Sequence, residues 1–349
     1  MSVSSDSEGS PNRTTIDENN SVVPSAVLFA LGVVGNFIAL CILYRHKHNS
    51  NRVSVFYVLV TGLVWTDLLG KLVVSPMVLA CYITRQRLAH GMQCNAFGAL
   101  MVFFGLCSMF ILLAMAVECW LSIGHPYFYQ RHVNRRKVLL MFPFIYLFSL
   151  LFCALPLILG DEFGKYKTYS PHTWCYIAMK RPHHMYSVLF GSLTGLLILL
   201  IVAFNLSVMI SLLKMYKLSR KQKIRCASFE GAENQRVRAP HNGHAEEIDH
   251  LVLLALITVI FIICSVPVTV RTYIGASQVS DNDEAKDLLA LRFLSVNSIV
   301  DPWVFIIFRT SLFRTMAHKL YDKLCHTRAR HSVQQGTPDK PAQQQDLAA

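Results

Sequence analysis

An all-α fold, a bundle of seven membrane-spanning helices with a short amphipathic helix at the inner membrane surface, follows from three features of the sequence. Charged residues are only 15% of the 349 residues and apolar ones 53%, whereas a soluble domain is about 25% charged. Five runs, Val22–Tyr44, Cys94–Val117, Val138–Gly160, Met185–Leu213 and Leu251–Val270, hold no Asp, Glu, Lys or Arg over 23, 24, 23, 29 and 20 residues. A helix needs about 20 apolar residues to cross a bilayer. Two further runs, Val53–Ile83 and Leu288–Phe308, are interrupted only by Asp67 with Lys71 and by Arg292 with Asp301. Lipid offers backbone groups no hydrogen-bond partner, so spans of this length must be helices whatever their β-branched content. The composition excludes a soluble enzyme, a nucleic-acid binder and a disordered chain, because the excess of 33 Lys and Arg over 21 Asp and Glu is concentrated in short loops.

An odd number of spans puts the two ends on opposite sides, and the loops choose which. With residue 1 outside, the inner segments (45–52, 124–137, 214–250 and 309–349) hold 22 Lys and Arg and the outer ones (1–21, 84–93, 161–184 and 271–287) hold 9. The positive-inside rule then predicts an outer N-terminus. The first inner loop, with Arg45, Lys47 and Arg52 in eight residues, carries the bias independently of loop length. The chain divides into an outer tail over 1–21, the membrane domain over 22–308, an amphipathic helix over 309–325 and an inner tail over 326–349.

The outer tail is polar, without a basic start or an early apolar core, so no cleavable signal peptide is expected and the first span is itself the insertion signal. Asn12-Arg13-Thr14 and Asn19-Asn20-Ser21 fit the glycan acceptor pattern, and both lie in that tail. Asn205-Leu206-Ser207 has the same pattern inside an apolar run, out of a glycosyltransferase's reach. Residues 219–250 and 326–349 read as flexible polar segments.

Of ten cysteines, Cys41, Cys81, Cys107, Cys119, Cys153 and Cys264 sit in or at the ends of spans and read as small apolar side chains. Cys94 and Cys175 face the oxidising compartment, so a bridge pinning the second outer loop over the bundle is expected. Cys325 ends a stretch in which Leu312, Phe313, Met316, Ala317, Leu320 and Leu324 share one face, interleaved with Arg314, Lys319 and Lys323. That pattern suits a helix lying on the inner leaflet, with Cys325 either a palmitoylation site or an unmodified thiol.

Charges inside a membrane cost roughly 2.5 to 3.5 kcal/mol each on insertion scales, so the few here need partners or a polar cavity. Asp67, Lys71, Ser75 and Tyr82 fall within about 80° of one another on the second helix, an inward stripe running to its outer end. Lys71 has two readings: an i,i+4 ion pair with Asp67, or an ammonium presented to an anion entering from outside. Arg292 has no acid one turn away; it either holds a ligand carboxylate bidentately or snorkels to the headgroups. Asn297, Ser298 and Asp301 lie on another face and, with Asp67, form a separate polar network. No cofactor or metal is expected: His183-His184 has no further ligand at spacing, and the nucleophile, zinc and phosphate-loop motifs are missing.

Local motifs carry a resemblance: Gly35-Asn36 in the first span, Leu63 with Asp67 in the second, Pro267 in the sixth and Asp301-Pro302 in the seventh. With seven spans, these resemble the rhodopsin-like G-protein-coupled receptors. Three departures narrow it: Glu118-Cys119-Trp120 for Asp-Arg-Tyr, Cys264-Ser265-Val266-Pro267 for Cys-Trp-x-Pro, and Asp301-Pro302-Trp303-Val304-Phe305 for Asn-Pro-x-x-Tyr. The last two resemble the prostanoid receptors, as do Thr173-Trp174-Cys175, Leu291-Arg292-Phe293 and Gly124-His125-Pro126-Tyr127-Phe128-Tyr129.

Within that family Glu118 to Ser122, Asp67 to Lys71 and Val270 to Tyr273 resemble the Gs-coupled branch and imply prostaglandin D as ligand. Prostaglandin E is the alternative, since Ser122 to Arg131 reads as well for its Gs-coupled receptors. The resemblance implies that Arg292 binds the ligand carboxylate with Lys71, Tyr82 and Thr173 contributing charge or hydrogen bonds, and Ser295 meeting a hydroxyl. It places the plasma membrane as the location and adenylate cyclase activation through Gs as the output, with Glu118, Pro126, Tyr127, Phe128 and Tyr129 at the G-protein contact. Arg271 is expected only at the cavity mouth. A lipid or organic-anion transporter is the non-receptor alternative, but inverted repeats and paired broken helices are missing. An intramembrane enzyme would need a nucleophile and a base at the cavity, where only cations stand out.

Overall fold

The computed structural model describes residues 22–49, 54–84, 88, 91–169, 173–180, 182–229, 243–277 and 284–309. The elements are α1 (Val23–Asn49), α2 (Val55–Thr84), α3 (Met92–Gly124), α4 (Pro126–His132), α5 (Arg135–Leu159), β1 (Tyr166–Tyr169), β2 (Trp174–Ile177), α6 (Met185–Phe229), α7 (Gly243–Ser277) and α8 (Glu284–Arg309). All except α4 and the two strands are long and apolar enough to cross a membrane, seven spans as expected. The tail with Asn12 and Asn19, nearly all of the expected amphipathic helix with Cys325, and the inner tail lie outside the described residues.

The helices pack in a ring, α1 on α2, α2 on α3, α6 on α7, α7 on α8, and α8 back on α1, with α3 running through the middle against α2, α5 and α6. That placement explains why Phe97, Leu106, Cys107 and Ile111 of α3 are wholly buried. The ring's outer face is the reverse: Phe37, Leu140, Phe144 and Leu199 are each more than 60% exposed, which in a bilayer is contact with lipid tails. Polar side chains turn inward, among them Asn36, Asp67, Thr194, Asn205 and Asp301.

Local sequence explains the joints. Gly160 ends α5 at φ +84°, a left-handed conformation that an L side chain resists. The chain then forms an antiparallel hairpin with Thr168 opposite Cys175. All four residues of β2 are buried, and the Cys94–Cys175 disulfide fixes the hairpin to the start of α3. Tyr166 donates to the Cys153 carbonyl of α5 at 2.7 Å, and its ring fills the notch at Gly98, where a Cβ would stand 2.4 Å from Tyr166 Cδ1.

One expectation is overturned in part. Residues 219–250 read as flexible, yet α6 continues to Phe229 and α7 already begins at Gly243; residues 230–242 lie outside the described residues. The costly step of helix formation is nucleation; a membrane span supplies it, and Lys, Arg and Gln then extend the helix readily.

Candidate functional site

Beneath the hairpin, between α1, α2, α3 and α8, lies a cavity of about 950 Å³ including its open mouth. Its walls are apolar, with Phe29, Val78, Met101, Phe104, Trp174 and Leu294 among them, and Lys71 is the one cation among its described lining residues. Lys71 makes no ion pair with Asp67: its Nζ crosses the bundle and donates to the backbone carbonyl of Ser295 at 2.9 Å. Its stem lies beside Gly32 of α1, whose missing Cβ would stand 3.3 Å from Lys71 Cγ. Asp67 turns instead to α3 and accepts from Ser108 Oγ at 2.7 Å.

The cavity floor is the expected polar network, enlarged. Asp67, Asn297, Ser298 and Ser108 line it, and Asp301 lies within electrostatic reach of Asp67. Asp67 Oδ2, Asn297 Oδ1 and Asp301 Oδ2 are buried without a protein hydrogen bond. Asn36 ties α1 to α8 by donating to the Ser298 carbonyl at 3.2 Å, and Trp303 Nε1 donates to the Leu31 carbonyl at 3.2 Å. Ser108, Asn36, Trp303 and Trp174 were not identified as site residues from sequence. Ser108 carries no periodicity signal, whereas Asn36, Trp174 and Trp303 lie inside the receptor-like motifs.

Toward the hairpin, Thr173 and Tyr82 come together, their hydroxyls 3.5 Å apart. Tyr82 lies eleven positions after Lys71, about 16 Å along α2, so the pair stands well toward the hairpin from Lys71, and neither hydroxyl residue is part of the cavity lining. Arg292 is more than a third exposed and is not part of the cavity lining. On the helical wheel it falls about 60° from Ser295 and about 20° from Ile299, and Ile299 packs at Gly32 of α1. Arg292 is therefore rooted on the side of α8 that faces α1, about one turn nearer the hairpin than Ser295. Ser295 spends its hydroxyl on the Arg292 carbonyl at 2.8 Å. Arg271, expected only at the mouth, is instead locked to Asp287 across the α7–α8 interface at 2.6 Å, both side chains nearly buried.

At the opposite end, a second cavity of about 1170 Å³ opens between α3, α6 and α7, lined by Met115, Glu118, Cys119, Asn205 and Phe261. Asn205 is buried and donates to Thr258 Oγ1 at 2.7 Å. Glu118 is buried and accepts from Tyr129 at 2.7 Å. Pro126 starts α4, Tyr127 is 81% exposed, and Phe128 stacks on His132 with ring centres 4.3 Å apart. Burial and the Glu118 acceptor hold the Tyr129 phenol well above its ordinary range, so it stays a neutral donor.

Residues 35–305 match the model of the 7 transmembrane receptor (rhodopsin family). The Prostaglandin D2 receptor of Mus musculus is 47% identical over 330 residues, covering 89% of this chain and 92% of the relative. That of Homo sapiens is 44% identical over 344 residues, 92% and 95% of the two chains. The Prostaglandin E2 receptor EP2 subtype of Homo sapiens is 43% identical over 328 residues, 89% of each. A family match over most of the chain, and near-full-length similarity to receptors of one ligand class, agree with a cation-bearing cavity beneath a disulfide-held hairpin. The chain belongs to the rhodopsin family of seven-transmembrane receptors and, within it, to the prostanoid group of G-protein-coupled receptors.

Proposed function

We propose that this protein is a plasma-membrane receptor for a D-type prostaglandin and that ligand binding activates Gs and raises cyclic AMP. The observation that carries the reading is Lys71: a buried ammonium in an apolar cavity, satisfied only by the Ser295 carbonyl among the described residues. A lipid acid with one carboxylate and long apolar chains matches such a cavity. Arg292 at the α1–α8 seam captures the carboxylate bidentately, Lys71 supplies a second positive charge one turn deeper, and the Tyr82–Thr173 pair adds hydrogen bonds. Ser295 meets a ring or chain hydroxyl, and Asp67, Asn297, Ser298 and Asp301 form the polar floor. The relatives named for prostaglandin D2, 44–47% identical, support the D-type ligand. Those named for prostaglandin E2, 42–43% identical, support an E-type ligand as the second reading.

In this account the N-terminus is extracellular, with glycans on Asn12 and Asn19, and the α4 end is cytoplasmic. Residues 309–325 form the amphipathic inner helix with Cys325 acylated, followed by the cytoplasmic tail over 326–349. Binding shifts the population toward a state with an open α4 end, and Pro267 inside α7 provides the bend. Glu118, Pro126, Tyr127, Phe128 and Tyr129 meet the G protein there. The test is a cyclic AMP assay in cells expressing the chain, challenged with prostaglandins D, E and I and their methyl esters. A rise with D at the lowest concentration, lost on esterification, is expected. Preference for E selects the second reading, and silence toward every free acid refutes both.

A further inference from the structure

Arg131, Arg135, Arg136 and Lys137 place four cations in seven residues where α4 meets α5. All four are exposed, and the nearly buried Arg271–Asp287 ion pair lies at the other end of the bundle. The cluster is held in shape: Lys137 Nζ donates to the His132 carbonyl at 3.0 Å, and the Val133 amide closes α4 on the Tyr129 carbonyl at 2.9 Å. Its direction matters more than its charge. Arg135 and Arg136 stand one turn before Leu139 and Leu140, on the same helix flanks, and those leucines are 56% and 63% exposed on the lipid-facing side of the bundle. The guanidinium groups therefore emerge where the hydrocarbon ends, beside the bundle and away from the cavity lined by Glu118 and Asn205.

We propose that the α4–α5 junction is a binding site for a polyanionic phospholipid headgroup, a phosphorylated inositol lipid of the leaflet it faces. A juxtamembrane cluster of this size is the electrostatic signature of such lipids. Four fixed cations exceed what a singly charged headgroup neutralises, and Arg pairs with phosphate in a bidentate fork. Because Tyr129 ties α4 to Glu118, a headgroup held here also steadies the segment beside the second cavity. Only the identity of the leaflet rests on the orientation proposed above; the lipid contact does not depend on the prostaglandin reading.

The test uses the full chain in nanodiscs of phosphatidylcholine with either phosphatidylinositol bisphosphate or phosphatidylserine at matched formal charge, with retained lipid read by native mass spectrometry. The parent should retain the bisphosphate lipid preferentially. Arg135→Gln, Arg136→Gln and Lys137→Gln combined should weaken that retention about fivefold per cation and roughly a hundredfold together. Arg135→Lys with Arg136→Lys, which keeps the charge and controls for folding, should retain most of it. Equal retention by parent and Gln variant overturns the proposal. So does a Gln variant that keeps the lipid but fails to recruit G protein in pure phosphatidylcholine, because the cluster then reads protein.

Discussion

Tyr129 donates its hydroxyl to Glu118 Oε1 across 2.7 Å, fastening α4 to the final turns of α3. The residue after this acid is Cys119, which brings no cation to pair with it, and the carboxylate accepts from the neutral Tyr129 phenol instead. Tyr129→Phe leaves a buried carboxylate without its donor, at a cost of about 1.5–3 kcal/mol. We expect a lower unfolding temperature for the solubilised receptor and unchanged ligand affinity. A double-mutant cycle with Glu118→Ala should give a coupling of about 1–2 kcal/mol; additive effects would show that the bond contributes nothing.

A pH dependence follows for the same end and for the hairpin. Burial, with its Glu118 acceptor, raises the Tyr129 phenol, and burial raises those of Tyr166 and Tyr176. In the unfolded chain these phenols ionise near pH 10; in the folded chain they keep their protons. Between those limits the unfolded state binds fewer protons, so stability falls as pH rises. Their stabilising effect is complete below about pH 10 and declines above it. Unfolding temperature against pH should drop steeply above that point, and Tyr176→Phe should flatten the drop. An unaltered profile in the variant would remove Tyr176 as a source.

The parts legible in sequence are those that the bilayer dictates. Length and absence of charge located five spans and length with sparse charge the other two, and compartment chemistry paired Cys94 with Cys175. The inward stripe of α2 led to Lys71 because helical spacing alone sets it. Its acceptor was hidden, since the Ser295 carbonyl is a backbone atom that any residue would supply. Arg271 and Asp287 lie 16 positions apart on two helices, a pairing only the packing of α7 on α8 creates. The hairpin was illegible for a different reason: strands of four residues with β2 buried on both faces show no alternation. Arg292 had two readings, a carboxylate clamp or a headgroup contact; helical spacing puts it on the α8 side that faces α1, and it is not part of the cavity lining.

The α1–α8 seam is closed by two glycines. A Cβ at Gly35 would stand 2.7 Å from Trp303 Nε1, the atom that donates to Leu31. Gly35→Ala must displace the indole and break that bond, so we expect about 1–3 kcal/mol of destabilisation. Combining it with Trp303→Phe, which vacates the contested volume, should restore part of the loss in a thermal unfolding assay. If the combined variant is no better than the sum of the two, steric conflict is not the cause.

The cations Arg271, Arg292 and Lys71 can be separated by comparing a free acid ligand with its methyl ester. Arg271 is committed to Asp287, both nearly buried, so Arg271→Ala should destabilise the protein by about 3–5 kcal/mol and weaken acid and ester alike. Arg292 makes no side-chain hydrogen bond or ion pair among the described residues, and Lys71 has only a carbonyl acceptor. Arg292→Ala and Lys71→Met should therefore leave the fold intact and each weaken the acid by about 2 kcal/mol, roughly thirtyfold. The ester, lacking the charge, should bind both variants as it binds the parent. Equal losses for acid and ester in Arg292→Ala would assign that guanidinium to the headgroup layer and leave Lys71 as the sole anchor.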